Sequence, residues 1–141
     1  QKCSDLQLPV ILTTGQAMLA RDVIMAHAHP LLIDEVATDF PEVTMVLSHG
    51  GYPFIMDTIA LAQRNPNVYF EFSGRESAIG GHLYIEAANT MIPDKVVFAS
   101  AQPFFHFQDR IRIYEQLPFK PEVREKVMFR NAARILKLKI D

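Results

Sequence analysis

The residue best placed to do chemistry is His49, which follows the apolar run Val43–Leu47 and precedes Gly50 and Gly51. An imidazole at the end of a strand can be a neutral metal ligand or a general base near neutral pH. A histidine that only holds its loop by hydrogen bonds to the backbone is an equally good interpretation. The glycines fit either a close approach of the backbone to a ligand or simply the turn after the strand. We predict a catalytic or metal-binding role for His49 and a substrate contact at Gly50.

The pair His27 and His29 is a second metal-site candidate. In an extended segment the two imidazoles would share a face, as a metal site requires. On a helix they would diverge by roughly 200°. Pro30 disfavours helical geometry at His29, but a histidine pair in a connecting segment is more often simply exposed at the surface.

A third candidate group follows the apolar run Val68–Phe72 and consists of Ser73, Gly74 and Arg75. A guanidinium binds a carboxylate through two parallel hydrogen bonds, so Arg75 is suited to a substrate carboxylate. The competing interpretation is an ion pair of Arg75 with Glu71 or Glu76. We predict substrate-binding roles for Ser73 and Arg75.

Composition restricts the class of protein. The 141 residues fit one domain, residues 1–141, and the formal net charge of −2 provides no basic surface for nucleic acid. Cys3 is the only cysteine, which excludes an internal disulfide and fits a reducing cytosol, so we expect a cytoplasmic protein. No apolar run approaches the ~20 residues of a membrane span, and we expect no signal peptide. The first residue is Gln1, and the sequence predicts a start inside a larger parent protein.

The elements that must position these residues are four short buried strands and the helices between them. Compact apolar runs bounded by Pro, Gly or Asn predict strands at Leu8–Leu12, Val43–Leu47, Val68–Phe72 and Lys95–Ala99. Apolar residues at helical spacing predict helices at Pro30–Phe40, Tyr52–Gln63, His82–Met91, Phe107–Leu117, Pro121–Phe129 and Asn131–Leu138.

Strand–helix alternation repeated four times predicts an α/β fold with parallel strands and outer helices, which is half of an eight-unit (β/α)8 TIM barrel. Such a half has two open edges, and unpaired edges promote association. Three arrangements remain open: a missing half supplied by another segment or subunit, a dimer, or a small open sheet.

Six pieces of the chain, in the correct order, resemble the C-terminal half (strands five to eight) of the amidohydrolase-2 family, the metal-dependent TIM-barrel hydrolases and decarboxylases that include aminocarboxymuconate-semialdehyde decarboxylase. For example, Val46-Leu-Ser-His-Gly-Gly51 is similar to the family pattern vlaHxG of strand six. The six pieces are Leu8–Gly15, His29–Val43, Val46–Gly51, Asn65–Gly74, Lys95–Pro103 and Pro121–Leu136.

The resemblance implies one divalent metal, commonly zinc, bound by an HxH-type pair on strand one, a histidine on strand five and an aspartate on strand eight. It also implies that the strand-six histidine, here His49, acts on water or substrate. In this chain strand one is absent, Thr13 stands at the strand-five histidine position, and Ala101 stands at the strand-eight aspartate position. His27 and His29 match the HxH letters, but they lie in a connecting segment where relatives have no such pair.

Two functions follow. The first is a hydrolase or decarboxylase for a small carboxylated or aromatic substrate, with a metal site that is incomplete in this chain and is completed by an N-terminal half-barrel or within a homo-oligomer. The second is a non-catalytic relative, a binding or structural half-barrel that has lost its metal and its activity. The substitutions at Thr13 and Ala101 argue against activity of this chain alone.

Overall fold

The computed structural model describes residues 1–16 and 22–140. Its centre is a parallel sheet of three strands in the order β1 (Val10–Thr13), β2 (Met45–Ser48) and β3 (Val68–Phe70). The pairing sets Thr13 beside Ser48, and Met45 beside Val68. The strand ends that carry the predicted site therefore meet at one edge of the sheet, as expected for parallel βα units.

The helices from α2 onward lie between and after the strands, close to their predicted positions. A short helix α1 (Lys2–Asp5) precedes β1, and two 3-10 turns cover Met25–Ala28 and Pro30–Leu32. The remaining helices are α2 (Ile33–Asp39), α3 (Ile55–Arg64), α4 (His82–Thr90), α5 (Phe107–Gln116), α6 (Pro121–Glu125) and α7 (Asn131–Ile135). None of the helices in the described part of the chain is long and apolar enough to cross a membrane.

The prediction of a fourth regular strand at Lys95–Ala99 was wrong. The chain makes a single parallel bridge there, between Phe70 and Val96. The backbone N–H of Phe70 donates to the Lys95 carbonyl and that of Val97 to the Phe70 carbonyl, but the N–H of Phe98 turns to the Val127 carbonyl at 2.8 Å. Successive N–H groups of an extended segment point to opposite sides, so the N–H of Phe98 points away from β3 and the closing helical segment covers this outer edge.

The two closing helices predicted from the sequence are one continuous helical segment. Helix α6 passes into a π-helical stretch, Lys126–Arg130, which continues directly into α7. The Asn131 side chain sits at the join and donates to the carbonyls of Pro93 at 2.9 Å and Val96 at 2.8 Å. This buried amide ties the end of the chain to the last strand-like segment.

The apolar core lies between one face of the sheet and the helices. Leu47, Phe70 and Phe72 are fully buried on this face, and Phe72 stacks on Tyr84 with ring centroids 5.0 Å apart. The opposite face is only partly covered: Ile11, in the middle of β1, is 73% exposed. Successive strand residues point to opposite faces, so Val46, Glu71 and Val97 lie on this second face.

Candidate functional site

A cavity of about 410 Å³ lies along the second face of the sheet, from Pro9 and the closing helix to the C-terminal strand ends. Its walls are largely apolar, and its polar residues come from the C-terminal ends of β2, β3 and the segment Lys95–Ala99 and from the residues that follow them. The lining includes Ile11, Val46, Val97, Phe98, Phe104, Ser48, His49, Glu71, Ser73 and Gln102. A volume of this size is typical of sites for small organic ligands.

The turn after β2 has a backbone that few sequences can adopt. His49, Gly50 and Gly51 all have positive φ, at 62°, 59° and 64°. A Cβ on Gly50 would lie 2.7 Å from the Tyr84 ring, and a Cβ on Gly51 would overlap the Thr58 hydroxyl. The glycines are therefore required both by conformation and by space. A histidine in the left-handed region is uncommon, and such residues concentrate at functional sites.

Tyr84 holds this turn from the helix side. Its hydroxyl donates to the Gly50 carbonyl at 2.8 Å. Burial is the main cause that raises the pKa of Tyr84, against a smaller opposing effect of Arg75. The phenol therefore stays protonated and remains a donor across the physiological pH range. The predicted substrate contact at Gly50 is not tested by this geometry, but the Gly50 carbonyl is already used by Tyr84.

The His49 imidazole is oriented by a backbone carbonyl. Its Nδ1 lies 3.1 Å from the Ser73 carbonyl oxygen. A carbonyl only accepts hydrogen bonds, so we assign the proton of the neutral ring to Nδ1. Nε2 then carries the lone pair. The ring lines the cavity and its side chain is 33% exposed, so a ligand has access to it.

Glu71 lies directly beneath this turn and is 5% exposed. Its Oε1 accepts hydrogen bonds from the Ser48 hydroxyl and from the His49 backbone N–H, the latter at 2.7 Å. Its Oε2 accepts the Ser73 N–H at 2.6 Å. The carboxylate lies 3.9 Å from Nδ1 of His49, which is beyond hydrogen-bond distance. One buried carboxylate therefore joins the ends of β2 and β3.

Sequence reasoning assigned Glu71 only as a possible partner of Arg75 and missed this role. The available signal was its position: a charged residue inside the predicted apolar strand Val68–Phe72, two residues before Ser73. Residues i and i+2 of a strand share a face. Glu71 and Ser73 could therefore have been placed together, on the face opposite Phe70 and Phe72.

Arg75 is buried beside the Tyr52 ring. Arg75 is 9% exposed, lies 5.0 Å from the centre of the Tyr52 ring and donates to the Gln16 carbonyl at 3.3 Å. It is not among the described residues that line the cavity. Glu76, one of the partners considered for Arg75, pairs with Arg110 at 3.0 Å. Substrate binding by Arg75 and Ser73 stays a prediction.

His27 and His29 occupy different backbone conformations. His27 belongs to the 3-10 turn Met25–Ala28, whereas His29 is extended. His29 Nδ1 accepts the Leu31 N–H at 3.3 Å, and its ring packs on Phe54 with centroids 4.0 Å apart. His29 therefore caps the following turn, which is a structural use of the side chain.

The donor set does not fit a divalent metal ion. Thr13 presents a neutral hydroxyl on the exposed side of β1, and Ala101 lines the cavity without a donor atom. Within residues 1–16 and 22–140 no cluster of three or more His, Cys, Asp or Glu side chains could hold a metal. A zinc site usually takes about four ligands, and at the strand ends His49 offers a single nitrogen.

Comparisons with known proteins found one family model and several solved structures that match this chain. A family model described as amidohydrolase matches residues 1–138. An uncharacterised TIM-barrel protein from Bordetella bronchiseptica superposes with a TM-score of 0.85 at 34% identity, over 96% of this chain and 48% of its own. No curated protein matches this chain.

Two functionally described structures share the fold at lower identity. The 5-carboxyvanillate decarboxylase from Sphingomonas paucimobilis has a TM-score of 0.67 at 18% identity, over 96% of this chain and 51% of its own. The dihydroxybenzoic acid decarboxylase from Polaromonas, solved with bound manganese, has a TM-score of 0.69 at 14% identity, over 99% and 52%. The chain thus spans about half the length of these solved structures.

Proposed function

The chain belongs to the amidohydrolase family, whose model covers residues 1–138. We propose that it forms part of a hydrolase or decarboxylase that acts on a small carboxylated or aromatic substrate. The observation that carries this proposal is the His49 imidazole. Its Nδ1 proton is held by the Ser73 carbonyl, which leaves the Nε2 lone pair for a ligand in the cavity. A fixed tautomer is what a proton-transfer residue requires.

The cavity supports a flat, largely apolar substrate. Its walls include Ile11, Val46, Val97 and Phe104, and its volume of about 410 Å³ suits a single aromatic ring with small substituents. The two decarboxylases that share the fold act on carboxylated aromatic rings according to their names. We therefore take hydroxylated benzoic acids as the first substrate class to test.

His49 can move the proton in either reaction type. As a base, Nε2 removes a proton from water that attacks an acyl carbon. As an acid, protonated Nε2 donates to the ring carbon that bears the carboxylate. The C–C bond then breaks, CO2 leaves, and its bonding electrons restore the aromatic ring. A positioned acid or base of this kind typically contributes 10²–10⁴-fold to a rate, by order of magnitude.

The family's divalent metal is not assigned to any step of this proposal. By resemblance the metal would be zinc, and the Polaromonas decarboxylase binds manganese. We propose that this chain corresponds to strands five to eight of the barrel, and that additional ligands come from an N-terminal half-barrel or from a second copy. Support for a covering partner comes from the exposed sheet face at Ile11, which is 73% accessible.

The test is a turnover assay on hydroxylated benzoic acids in the presence of the complementary barrel half, with and without added Mn²⁺ or Zn²⁺, comparing the unaltered chain with His49→Asn. Asparagine tolerates the left-handed backbone and places an amide donor near the Nδ1 position, but it removes Nε2. His82→Asn, at an exposed site on α4, is the matched control. Loss of turnover in His49→Asn alone is expected. Equal turnover in both variants would contradict the assignment of His49.

A non-catalytic relative is the second candidate, and the residues Thr13 and Ala101 favour it because neither supplies a metal ligand. In that case the cavity binds a small aromatic acid without converting it. Calorimetric binding of 2,6-dihydroxybenzoate without product formation, in the presence of both metals, would select this reading over the enzyme.

A further inference from the structure

We propose that Glu71 is a positioning residue that fixes the tautomer of His49 and so keeps Nε2 directed at the cavity as an acceptor. This inference rests on the proposed role of His49 in proton transfer. Glu71 does not make a hydrogen bond to the imidazole itself, since its Oε1 lies 3.9 Å from Nδ1. It acts through the backbone on both sides of the ring.

The first connection is to the His49 backbone. Glu71 Oε1 accepts the His49 N–H at 2.7 Å and also the hydroxyl hydrogen of Ser48. His49 has φ of 62°, a conformation that is unfavourable for a side chain with a Cβ. A charge-assisted hydrogen bond to its N–H helps to hold the residue there. The Cα–Cβ bond of His49 is thereby aimed at the end of β3.

The second connection is to the acceptor of the imidazole. Glu71 Oε2 accepts the Ser73 N–H at 2.6 Å, and the Ser73 carbonyl in turn receives Nδ1–H of His49 at 3.1 Å. The same carboxylate therefore fixes the residue that carries the ring and the residue that accepts its proton. The distance between Nδ1 and the carbonyl depends on both attachments.

The chemistry of the site requires a carboxylate. All three partners of Glu71 are donors, namely one hydroxyl and two backbone N–H groups. Glutamine would present its amide NH2 group to at least one of these donors, which leaves a buried donor without an acceptor. Aspartate keeps the charge, but it is shorter by one methylene group and cannot reach both strand ends in the same geometry.

The experiment is a measurement of the His49 tautomer by long-range ¹H–¹⁵N NMR on ¹⁵N-histidine-labelled protein, at a pH where the ring is neutral. His49→Asn identifies the signals. In the unaltered chain we expect a protonated-type shift at Nδ1 and a lone-pair-type shift at Nε2. In Glu71→Gln the ratio of tautomers should change about fivefold toward protonated Nε2, as expected when a hydrogen bond of ordinary net strength is lost.

The matched control is Glu76→Gln. Glu76 is also a glutamate with a 5% exposed side chain after β3, where it accepts the Gly74 N–H and pairs with Arg110. Its loss should destabilise the same region without altering the tautomer of His49. An equal tautomer change in both variants would reduce Glu71 to a general structural role and overturn the proposal, as would an unchanged tautomer in Glu71→Gln.

Two further measurements keep the proposal testable if Glu71→Gln fails to fold. Glu71→Asp should shift the tautomer in the same direction by a smaller factor. Hydrogen exchange on the unaltered chain should show slow exchange of the His49 and Ser73 amides, both of which donate to the buried carboxylate. Rapid exchange of either amide would contradict the proposal. Because no substrate is present, a negative turnover assay leaves these results unaffected.

Discussion

Replacement of Gly51 by alanine is predicted to destabilise the protein much more than the same change at Gly74. Both glycines have positive φ, 64° and 75°, so both variants incur the left-handed penalty of ~1–2 kcal/mol. Alanine also lowers the entropy of the unfolded chain, which offsets roughly 0.5–1 kcal/mol of that penalty. The two positions therefore differ mainly in the space around the new methyl group.

The space for a methyl group is much smaller at Gly51 than at Gly74. A Cβ on Gly51 overlaps the hydroxyl of Thr58, a fully buried residue fixed on α3, and lies 3.2 Å from Pro30. A Cβ on Gly74 meets only the half-exposed ring of Phe105, at 3.2 Å. Overpacking of a buried site costs ~1–3 kcal/mol, whereas a partly exposed ring can move aside. We expect about 1–4.5 kcal/mol for Gly51→Ala and about 0–1.5 kcal/mol for Gly74→Ala.

Urea denaturation followed by circular dichroism gives the free energy of unfolding of each variant, provided that the slopes stay equal. Thr58→Ala supplies the decisive background, because it removes the hydroxyl that the new methyl group would overlap. There, Gly51→Ala should cost about 1–2 kcal/mol less than in the unaltered chain. The reasoning is refuted if the two glycine variants lose the same stability, or if the cost of Gly51→Ala is unchanged in the Thr58→Ala background.

Three further predictions concern other parts of the fold. Ala101 has φ of 53°, so Ala101→Gly should raise the free energy of unfolding by up to about 1 kcal/mol, measured in urea, and a loss would contradict the strain. Phe72 is fully buried against Tyr84, so Phe72→Ala should cost about 3–5 kcal/mol in the same assay, and a cost below 1 kcal/mol would contradict its place in the core. Burial, with the positive charge of Arg134, lowers the pKa of Lys95 to about 8. Because folding depresses this pKa from 10.5, protonation disfavours the folded state: the contribution of Lys95 to stability is full above pH 10.5 and is lost as the pH falls toward 8. NMR titration of the lysine side chains should show this one early transition, and Lys95→Met should flatten the pH dependence of stability between pH 8 and 10.5.

The order of strands and helices was predictable because buried positions are apolar and recur with the period of each strand or helix. Strands β1, β2 and β3 each contain apolar residues on both faces, and the helices show helical spacing of apolar residues, so both periods are readable. The strand prediction failed at Lys95–Ala99, where the chain makes only one bridge. That bridge joins Val96 to Phe70, and the outer edge of the segment is bonded to the closing helical segment, through the Phe98 N–H and the Val127 carbonyl, a contact between residues distant in sequence.

The candidate site was predictable only in part. His49 could be named from its position after an apolar strand, and the structure places it on the cavity. Its tautomer depends on the Ser73 carbonyl, and the two hydrogen bonds that Glu71 accepts from Ser48 and His49 depend on the register between β2 and β3. No local pattern encodes either one. At His29 the sequence predicted a role that the structure does not support. Its Nδ1 caps the next turn, but in the sequence a capping histidine cannot be distinguished from a metal ligand.

The measurement that tests the central claim most directly is the divalent-metal content of the purified chain after incubation with Mn²⁺ or Zn²⁺ and desalting, determined by elemental mass spectrometry. The claim is that this chain has the family fold and His49, but that Thr13 and Ala101, at the family's metal-ligand positions, supply no metal ligand. The account predicts a content near zero for this chain and a clear increase in the Thr13→His, Ala101→Asp double variant in the presence of the complementary barrel half. About one tightly held ion per unaltered chain, lost in His49→Asn, would contradict it.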